Sequence, residues 1–238
     1  MIDLICLILA GGFHNRIHSI VGDKPKALLR LKGKPLITYL VEKIPENIPV
    51  LITTNKRFEV DFYRWEINLT RSVEICVENF LSEKEKIGAV SAIDFWIKQK
   101  AIDNDLLVLA GDNYFEFDLH RFITAYDGKN TLVAVHDIAD KEKAKQFGVV
   151  ELEKKKIVKF EEKPENPKTS LVSTGCYMFP QMIFPLLTQF CNKKRDNLGE
   201  FIAYLVNQER MGAYIFNELW LDIGTEISQI NKKKGGAN

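Results

Sequence analysis

The feature that most constrains this chain lies at its amino-terminal end. An apolar run, Leu7-Ile8-Leu9-Ala10, leads into Gly11-Gly12, and the loop that follows carries Arg16 and then Lys24-Pro25-Lys26. A buried strand ending in two glycines lets the backbone come close to a ligand and turn N–H groups toward it, while Arg16 and Lys26 bring fixed positive charge to the same loop. That order of parts builds a cradle for a polyphosphate and predicts a nucleotide as the ligand. The spacing excludes two commoner glycine loops. A Walker loop needs Gly-x4-Gly-Lys-Ser/Thr and a dinucleotide fingerprint needs Gly-x-Gly-x-x-Gly. Neither is present, and no acidic ribose ligand follows the second apolar run at Val50-Thr54, which weighs against a redox enzyme with a dinucleotide fold.

A chain of 238 residues with 46% hydrophobic and 27% charged content is long enough for one large domain with a full core. The formal net charge of +1 argues against nucleic acid or a membrane surface as partner, so recognition of phosphate must be local to a cleft. No run approaches 18 apolar residues and the amino terminus lacks the order of a signal peptide, so a cytoplasmic location is expected. Cys6, Cys76, Cys176 and Cys191 lie far apart without metal-type spacing and read as reduced packing residues. His14, His18, His120 and His136 likewise show no metal spacing and read as surface or packing residues.

Through the first half, short apolar runs alternate with helix-like patterns, the signature of a parallel sheet with crossover helices. Strands are expected near 3–9, 50–54, 73–77 and 106–110, and helices near 35–44, 57–66 and 87–99. From about residue 130 the pattern becomes β-rich, with strands near 131–136, 147–152, 156–160 and 171–178, then helices near 181–190 and 198–209. The run Leu106-Leu107-Val108-Leu109-Ala110 ends in Gly111-Asp112-Asn113 and so delivers a carboxylate at the strand edge where ligands of open α/β sheets bind. The Lys154-Lys155-Lys156 run reads as a solvated turn and residues 231–238 as a frayed tail.

Several segments then fall in a meaningful order. They are Leu9-Ala10-Gly11-Gly12-Phe13-His14-Asn15-Arg16-Ile17 with Pro25-Lys26, then Gly111-Asp112-Asn113, Phe147-Gly148-Val149-Val150-Glu151, Glu161-Glu162-Lys163-Pro164, Ser173-Thr174-Gly175-Cys176-Tyr177 and Trp220-Leu221-Asp222-Ile223-Gly224-Thr225. With these motifs the chain resembles the sugar-1-phosphate nucleotidyltransferases, the NDP-sugar pyrophosphorylases, from about residue 5 to residue 230. The resemblance departs at two positions: His14 stands where the family has glycine and Asn15 where it has threonine.

That resemblance implies an α/β fold with a Rossmann-like mixed, mainly parallel sheet flanked by helices. It implies one domain, with a nucleotide-binding half over about 1–130 and a β-rich sugar-phosphate-binding half over about 131–230. It implies attack by a sugar 1-phosphate on the α-phosphorus of an NTP, with glucose 1-phosphate and dTTP or UTP first. Leu9, Ala10, Gly11, Gly12, Gly88 and Asp112 would bind the nucleotide, and Arg16, Lys26 and Lys163 would be catalytic. Gly148, Glu162, Lys163, Thr174 and Gly175 would meet the sugar phosphate, and Asp112 and Asp222 would hold Mg2+. Glu78, where the family usually has glutamine, could accept from a base N–H or be a solvated strand end.

Three matters stay open at this point. The run from Arg16 to Lys26 is also similar to that of heptose-1-phosphate guanylyltransferases, which keeps GTP in view. The substitutions His14 and Asn15 leave room for a nucleotide- or sugar-phosphate-binding homologue without turnover. A homo-oligomer, as an isologous dimer or tetramer, is the prior for a chain of this kind.

Overall fold

The computed structural model describes residues 3–12, 24–82, 85, 87–193 and 197–226. His14, Asn15, Arg16, His18 and the 231–238 tail lie outside the described residues. At the centre is β1 (Leu4–Leu9), flanked by β4 (Val50–Asn55) with β5 (Glu74–Glu78) beyond it, and on the other side by β6 (Asp105–Ala110). These four strands are parallel. Their near-continuous apolar runs follow from burial on both faces. Cys6 and Ile8 enter one core and Leu7 the other, and along β6 Leu107 and Leu109 alternate in the same way with Leu106 and Val108.

Helices close both faces. α1 (Leu36–Lys43) and α2 (Glu59–Glu66) place Ile37, Leu40, Phe62 and Trp65 in the first core. The second core takes Val90, Ile93 and Trp96 from α3 (Ala89–Gln99), Leu187 and Phe190 from α6 (Phe184–Asn192), and Phe201, Ile202 and Leu205 from α7 (Leu198–Val206).

Past β6 the sheet becomes mixed. It continues through β11 (Leu171–Phe179), β8 (Thr131–Asp137), β12 (Met211–Phe216), β10 (Lys156–Glu162) and β9 (Gly148–Glu153), making nine strands in the order β5-β4-β1-β6-β11-β8-β12-β10-β9. Only β11 and β10 run against the other seven. The far edge does not splay into solvent, because β9 pairs back onto β11 at Val172↔Val149. This curl brings the Gly148↔Glu162 pair of the β9–β10 hairpin toward the amino-terminal end of β11, which itself lies beside the carboxyl end of β6.

Each expected strand and helix is present to within a few residues. The elements that the sequence patterns did not signal are short or late in the chain. They are β2 (Arg30–Leu31) with β3 (Lys34–Pro35), β7 (Asn113–Phe115), α4 (Leu119–Thr124), α5 (Lys141–Ala144), β12 and β13 (Trp220–Asp222). Two or three residues carry too little periodicity to read.

Two expectations follow from the packing. A Cβ at Gly148 would collide with the Phe160 ring across the β9–β10 hairpin, so Gly148→Ala should lower stability by about 1–3 kcal/mol in urea unfolding. Combining it with Phe160→Leu should cost less than the sum of the two single changes. Burial pushes the thiols of Cys6 and Cys176 up and that of Cys76 to about 12, where Glu74 adds to the effect. All three thiols are therefore protonated at pH 8.5, and an aromatic disulfide reagent should label at most Cys191 before unfolding.

Candidate active site

Two loops that follow β6 and β12 are stitched together by a short ladder. The end of β6 is first tied to the end of β1, since Gly111 N donates to Leu9 O at 2.9 Å. A Cβ at Gly111 would sit 2.9 Å from that carbonyl oxygen and 3.1 Å from Ala10 Cβ, so only glycine permits the approach. Asp112 follows, and β7 then pairs antiparallel with β13, setting Asp222 opposite Asn113. Ile223 N donates to Asp112 O at 3.2 Å and extends the ladder by one more bond.

Asn113 is the clamp of this arrangement. Its buried Oδ1 accepts from Trp220 Nε1 at 2.7 Å, and its Nδ2 donates to Asp112 Oδ1 at 3.3 Å. The sequence thus brings together two carboxylates separated by more than one hundred positions. Lys26 joins them: Pro25 precedes a 3-10 turn, Lys26–Leu28, pinned by buried Ala27, and Lys26 Nζ lies 3.2 Å from Asp112 Oδ2.

The compactness of the cluster can be measured at Gly224. A Cβ there would stand 2.9 Å from Lys26 Nζ, 3.4 Å from Asp222 Oδ1 and 3.6 Å from Asp112 Oδ2. Burial raises the Asp222 carboxyl above its usual range and the neighbouring Asp112 raises it further. Its Oδ1 accepts from Thr225 N at 2.7 Å, which together with Lys26 opposes the rise. Two oxygen-donor carboxylates with one shared ammonium leave negative charge uncompensated, and that suits a hard divalent cation. Among the described residues no cluster of three or more His, Cys, Asp or Glu is present. Mg2+, however, is ordinarily held by one or two carboxylates with substrate phosphates and water completing the shell.

Beside this cluster opens a cleft of about 530 Å³. Leu9, Gly11, Gly12, Gly88 and Asp112 line it, as do Glu78 and Phe80. Ala10, buried behind them, is anchored by donation of its N–H to Thr53 O at 3.0 Å. Gly88 has φ +83° and opens α3, a backbone shape that glycine adopts without strain. One positioning residue escaped the sequence patterns. Buried Asn55, at the end of β4, donates from Nδ2 to Gly11 O at 2.9 Å, and its Oδ1 accepts from Arg57 N and Phe58 N. The available signal was a polar residue closing an otherwise apolar strand.

On the other half, Gly148 and Glu162 are a direct cross-strand pair. Glu162 packs against Gly199 in the first turn of α7, where a Cβ would overlap its carboxylate, and Asn197 and Leu198 of that segment line the cleft. Lys163 has φ +48°, donates its N–H to Phe147 O at 2.9 Å and keeps Nζ 3.5 Å from Glu162 Oε1. Its side chain is exposed and is not part of the cleft lining. Thr174 and Gly175 occupy a register shift in β11. The Thr174 hydroxyl is turned inward and donates to Ala134 O at 2.9 Å, while Gly175, at φ +71°, would set a Cβ 2.8 Å from Ala110 Cβ and 3.6 Å from Asn113 Nδ2. The bulge therefore closes tightly over the Asp112 loop.

A family model described as nucleotidyl transferase matches residues 5–234. The chain belongs to this nucleotidyl transferase family. Within the family it is 29% identical over 234 residues to the bifunctional protein GlmU of Methanocaldococcus jannaschii, covering 95% of this chain and 53% of that one. It is 29% identical over 228 residues to UTP--glucose-1-phosphate uridylyltransferase AglF of Haloferax volcanii, covering 92% of this chain and 90% of the relative. The chain thus spans about half the length of the GlmU relative. A solved UDP-glucose pyrophosphorylase, complexed with UDP-glucose, superposes with a TM-score of 0.76 at 22% identity, over 98% of this chain and all of that one, and shares the fold. Among the described residues no helix of this nucleotidyl transferase is long and apolar enough to cross a membrane.

The clamp yields a stability expectation. Asn113→Ala leaves Trp220 Nε1 buried without its acceptor and should lower the free energy of unfolding by about 1–3 kcal/mol. A loss below about 0.5 kcal/mol in urea would show that the β7–β13 ladder does not depend on it.

Proposed function

We propose that this chain transfers a nucleotidyl group from an NTP to a sugar 1-phosphate, releasing pyrophosphate and forming an NDP-sugar. The observation that carries the reading is the convergence of Lys26, Asp112 and Asp222 around Gly224, beside the Gly11-Gly12 cleft. An oxygen of the sugar phosphate attacks the α-phosphorus in line, a new P–O bond forms, and the bond to the bridging oxygen of the β-phosphate breaks as pyrophosphate leaves. No covalent enzyme intermediate is needed, so catalysis rests on placement and charge.

In this reading Gly11 and Gly12 present the backbone to the phosphates, and Asn55 fixes the first of them through its carbonyl. Arg16 binds the β- and γ-phosphates and Lys26 stabilises charge at the α-phosphoryl group. Glu162 accepts from sugar hydroxyls, with the Gly148 backbone across the ladder and Thr174-Gly175 shaping the wall. Lys163, held on a left-handed backbone next to Glu162, steers the anionic nucleophile. Asp112 and Asp222 are the residues that would hold Mg2+, which when bound supplies neutralising charge between two anionic reactants. Lys26 already pairs with Asp112, so the same ammonium ties the phosphate cradle to the acidic pair before substrate arrives.

Likeness to the glucose-1-phosphate uridylyltransferase AglF supports glucose 1-phosphate as the sugar substrate. For the base, that likeness supports UTP, while dTTP follows from the general family resemblance of the motifs and GTP from the run between Arg16 and Lys26.

The test is pyrophosphate release from a grid of GTP, UTP, dTTP, ATP and CTP against several sugar 1-phosphates with Mg2+. Turnover is expected for at least one pair. Asp112→Asn or Lys26→Ala should then lower kcat by about 100- to 1,000-fold, the loss of one contact made to developing charge. Turnover within a few-fold of the parent would contradict the assigned roles. Tight nucleotide binding with no pyrophosphate from any pair would favour a binding homologue without turnover.

A further inference from the structure

We propose that the chain carries a second anion site, remote from the Asp112 cleft, which takes a small ligand bearing two or more phosphate groups. It lies at the opposite edge of the sheet. β11 runs against both β6 and β8, so β6 and β8 run together, and β8 and its parallel neighbour β12 begin at the edge away from Asp112. A cavity of about 570 Å³ opens there, within the size range of small-ligand pockets. Lys154, Lys155, Lys156 and Arg210 line it.

Two segments more than fifty positions apart supply this charge, and the fold fastens them together. The β9–β10 hairpin turns at Lys154-Lys155, beyond the Glu153↔Lys156 pair. Across the next ladder Lys156 stands opposite Gly212 and Ile157 opposite Met211, while Lys155 O accepts from Ala213 N at 2.8 Å. Ile157 and Met211 are both buried, so the base of the turn is anchored in the core. Arg210 immediately precedes that anchor. The lysine run is therefore an exposed turn, as its composition implies, but one held in place against β12. Lys154 has φ +59°, in a two-residue hairpin turn where glycine, asparagine or aspartate is the usual choice.

The charges of this hairpin are not treated alike. Lys159 pairs with Glu151 and Glu161, and Lys168 pairs with Glu151. Among the described residues no ion pair engages Lys154, Lys155, Lys156 or Arg210. Two acids, Asp127 and Glu153, also reach the cavity wall. Asp127 is engaged in its own turn, where its carboxylate accepts from Lys129 N and Asn130 N at 2.9 Å and from Asn130 Nδ2 at 2.6 Å. Four cations thus face two carboxylates, and a concave wall with excess positive charge concentrates anions. Phosphate suits the set, because an ammonium binds it as a point charge and a guanidinium as a fork. All four cations are exposed, so water screens each single contact. A ligand with several phosphate groups offsets that weakness by engaging the hairpin and Arg210 together.

The experiment is lysine footprinting of the full chain: brief acetylation read residue by residue by mass spectrometry, without divalent cation and at constant ionic strength. Inorganic tripolyphosphate, inorganic phosphate and sulfate are the probes. Tripolyphosphate should slow labelling of Lys154, Lys155 and Lys156 by about fivefold or more, with phosphate and sulfate far less effective. Lys168, exposed on the same half, is the internal reference and should not change. Arg210→Ala should raise the tripolyphosphate concentration for half-protection about tenfold, and Arg210→Lys should recover part of that loss.

Equal protection by sulfate, protection that extends to Lys168, or a midpoint unmoved by Arg210→Ala overturns the site. Protection confined to Lys26 places the ligand in the Asp112 cleft and overturns it as well. Should Arg210→Ala fail to fold, Lys155→Ala read at Lys154 and Lys156 makes the same test. No arm depends on turnover, so the outcome stands whether or not the transferase reading does.

Discussion

Everything at the candidate site depends on one hydrogen-bonded device, the three-residue ladder between β7 and β13 locked by Trp220 Nε1 on Asn113 Oδ1. Holding two carboxylates side by side in a partly buried place is unfavourable unless the surrounding structure enforces it. The ladder supplies that enforcement through backbone pairing, and the indole–amide bond makes its register specific. Lys26 offsets part of the repulsion from the Asp112 side and Thr225 N from the Asp222 side. In the proposed function, the remaining negative charge is what a divalent cation would neutralise.

The rest of the fold serves to bring three distant segments to this ladder. The parallel half puts the carboxyl ends of β1, β4, β5 and β6 at one edge, and from these come the glycine pair, Asn55, Glu78 and Asp112. The mixed half does something different: β11 runs against β6, so Thr174 and Gly175, just ahead of the stretch that pairs with β6, arrive at that same edge. The return pairing of β9 onto β11 then curls the hairpin carrying Glu162 and Lys163 inward. A flat continuation of the sheet would have carried those two residues away from the cleft.

Much of this was legible in the sequence because the responsible segments are long or chemically loud. Apolar runs such as 106–110 ending in Gly-Asp-Asn announce both a strand and the carboxylate at its end, and Gly11-Gly12 after an apolar run announce the strand-end turn that lines the cleft. What escaped was set by tertiary contact. β13 is three residues long and exists as a strand only because β7 is there to pair with it. Asn55 looks like a strand terminator until the Gly11 carbonyl is seen against it. Gly148 suggests close approach of a ligand, yet the space it leaves is filled by the Phe160 ring. Gly199 does make room for a functional group, but for the Glu162 carboxylate of its own chain. In both glycines the sequence shows that space is needed and cannot show which neighbour takes it.

The most direct measurement of the central claim is a double-mutant cycle on divalent-cation affinity, with Mn2+ as the probe read by electron paramagnetic resonance in the presence of a non-hydrolysable nucleotide. If Asp112 and Asp222 share one cation, Asp112→Asn and Asp222→Asn should each weaken Mn2+ binding substantially, and the double variant should be little worse than either single one. Losses that simply add, or one substitution that leaves Mn2+ affinity unchanged, would show that the two acids do not act as a single site.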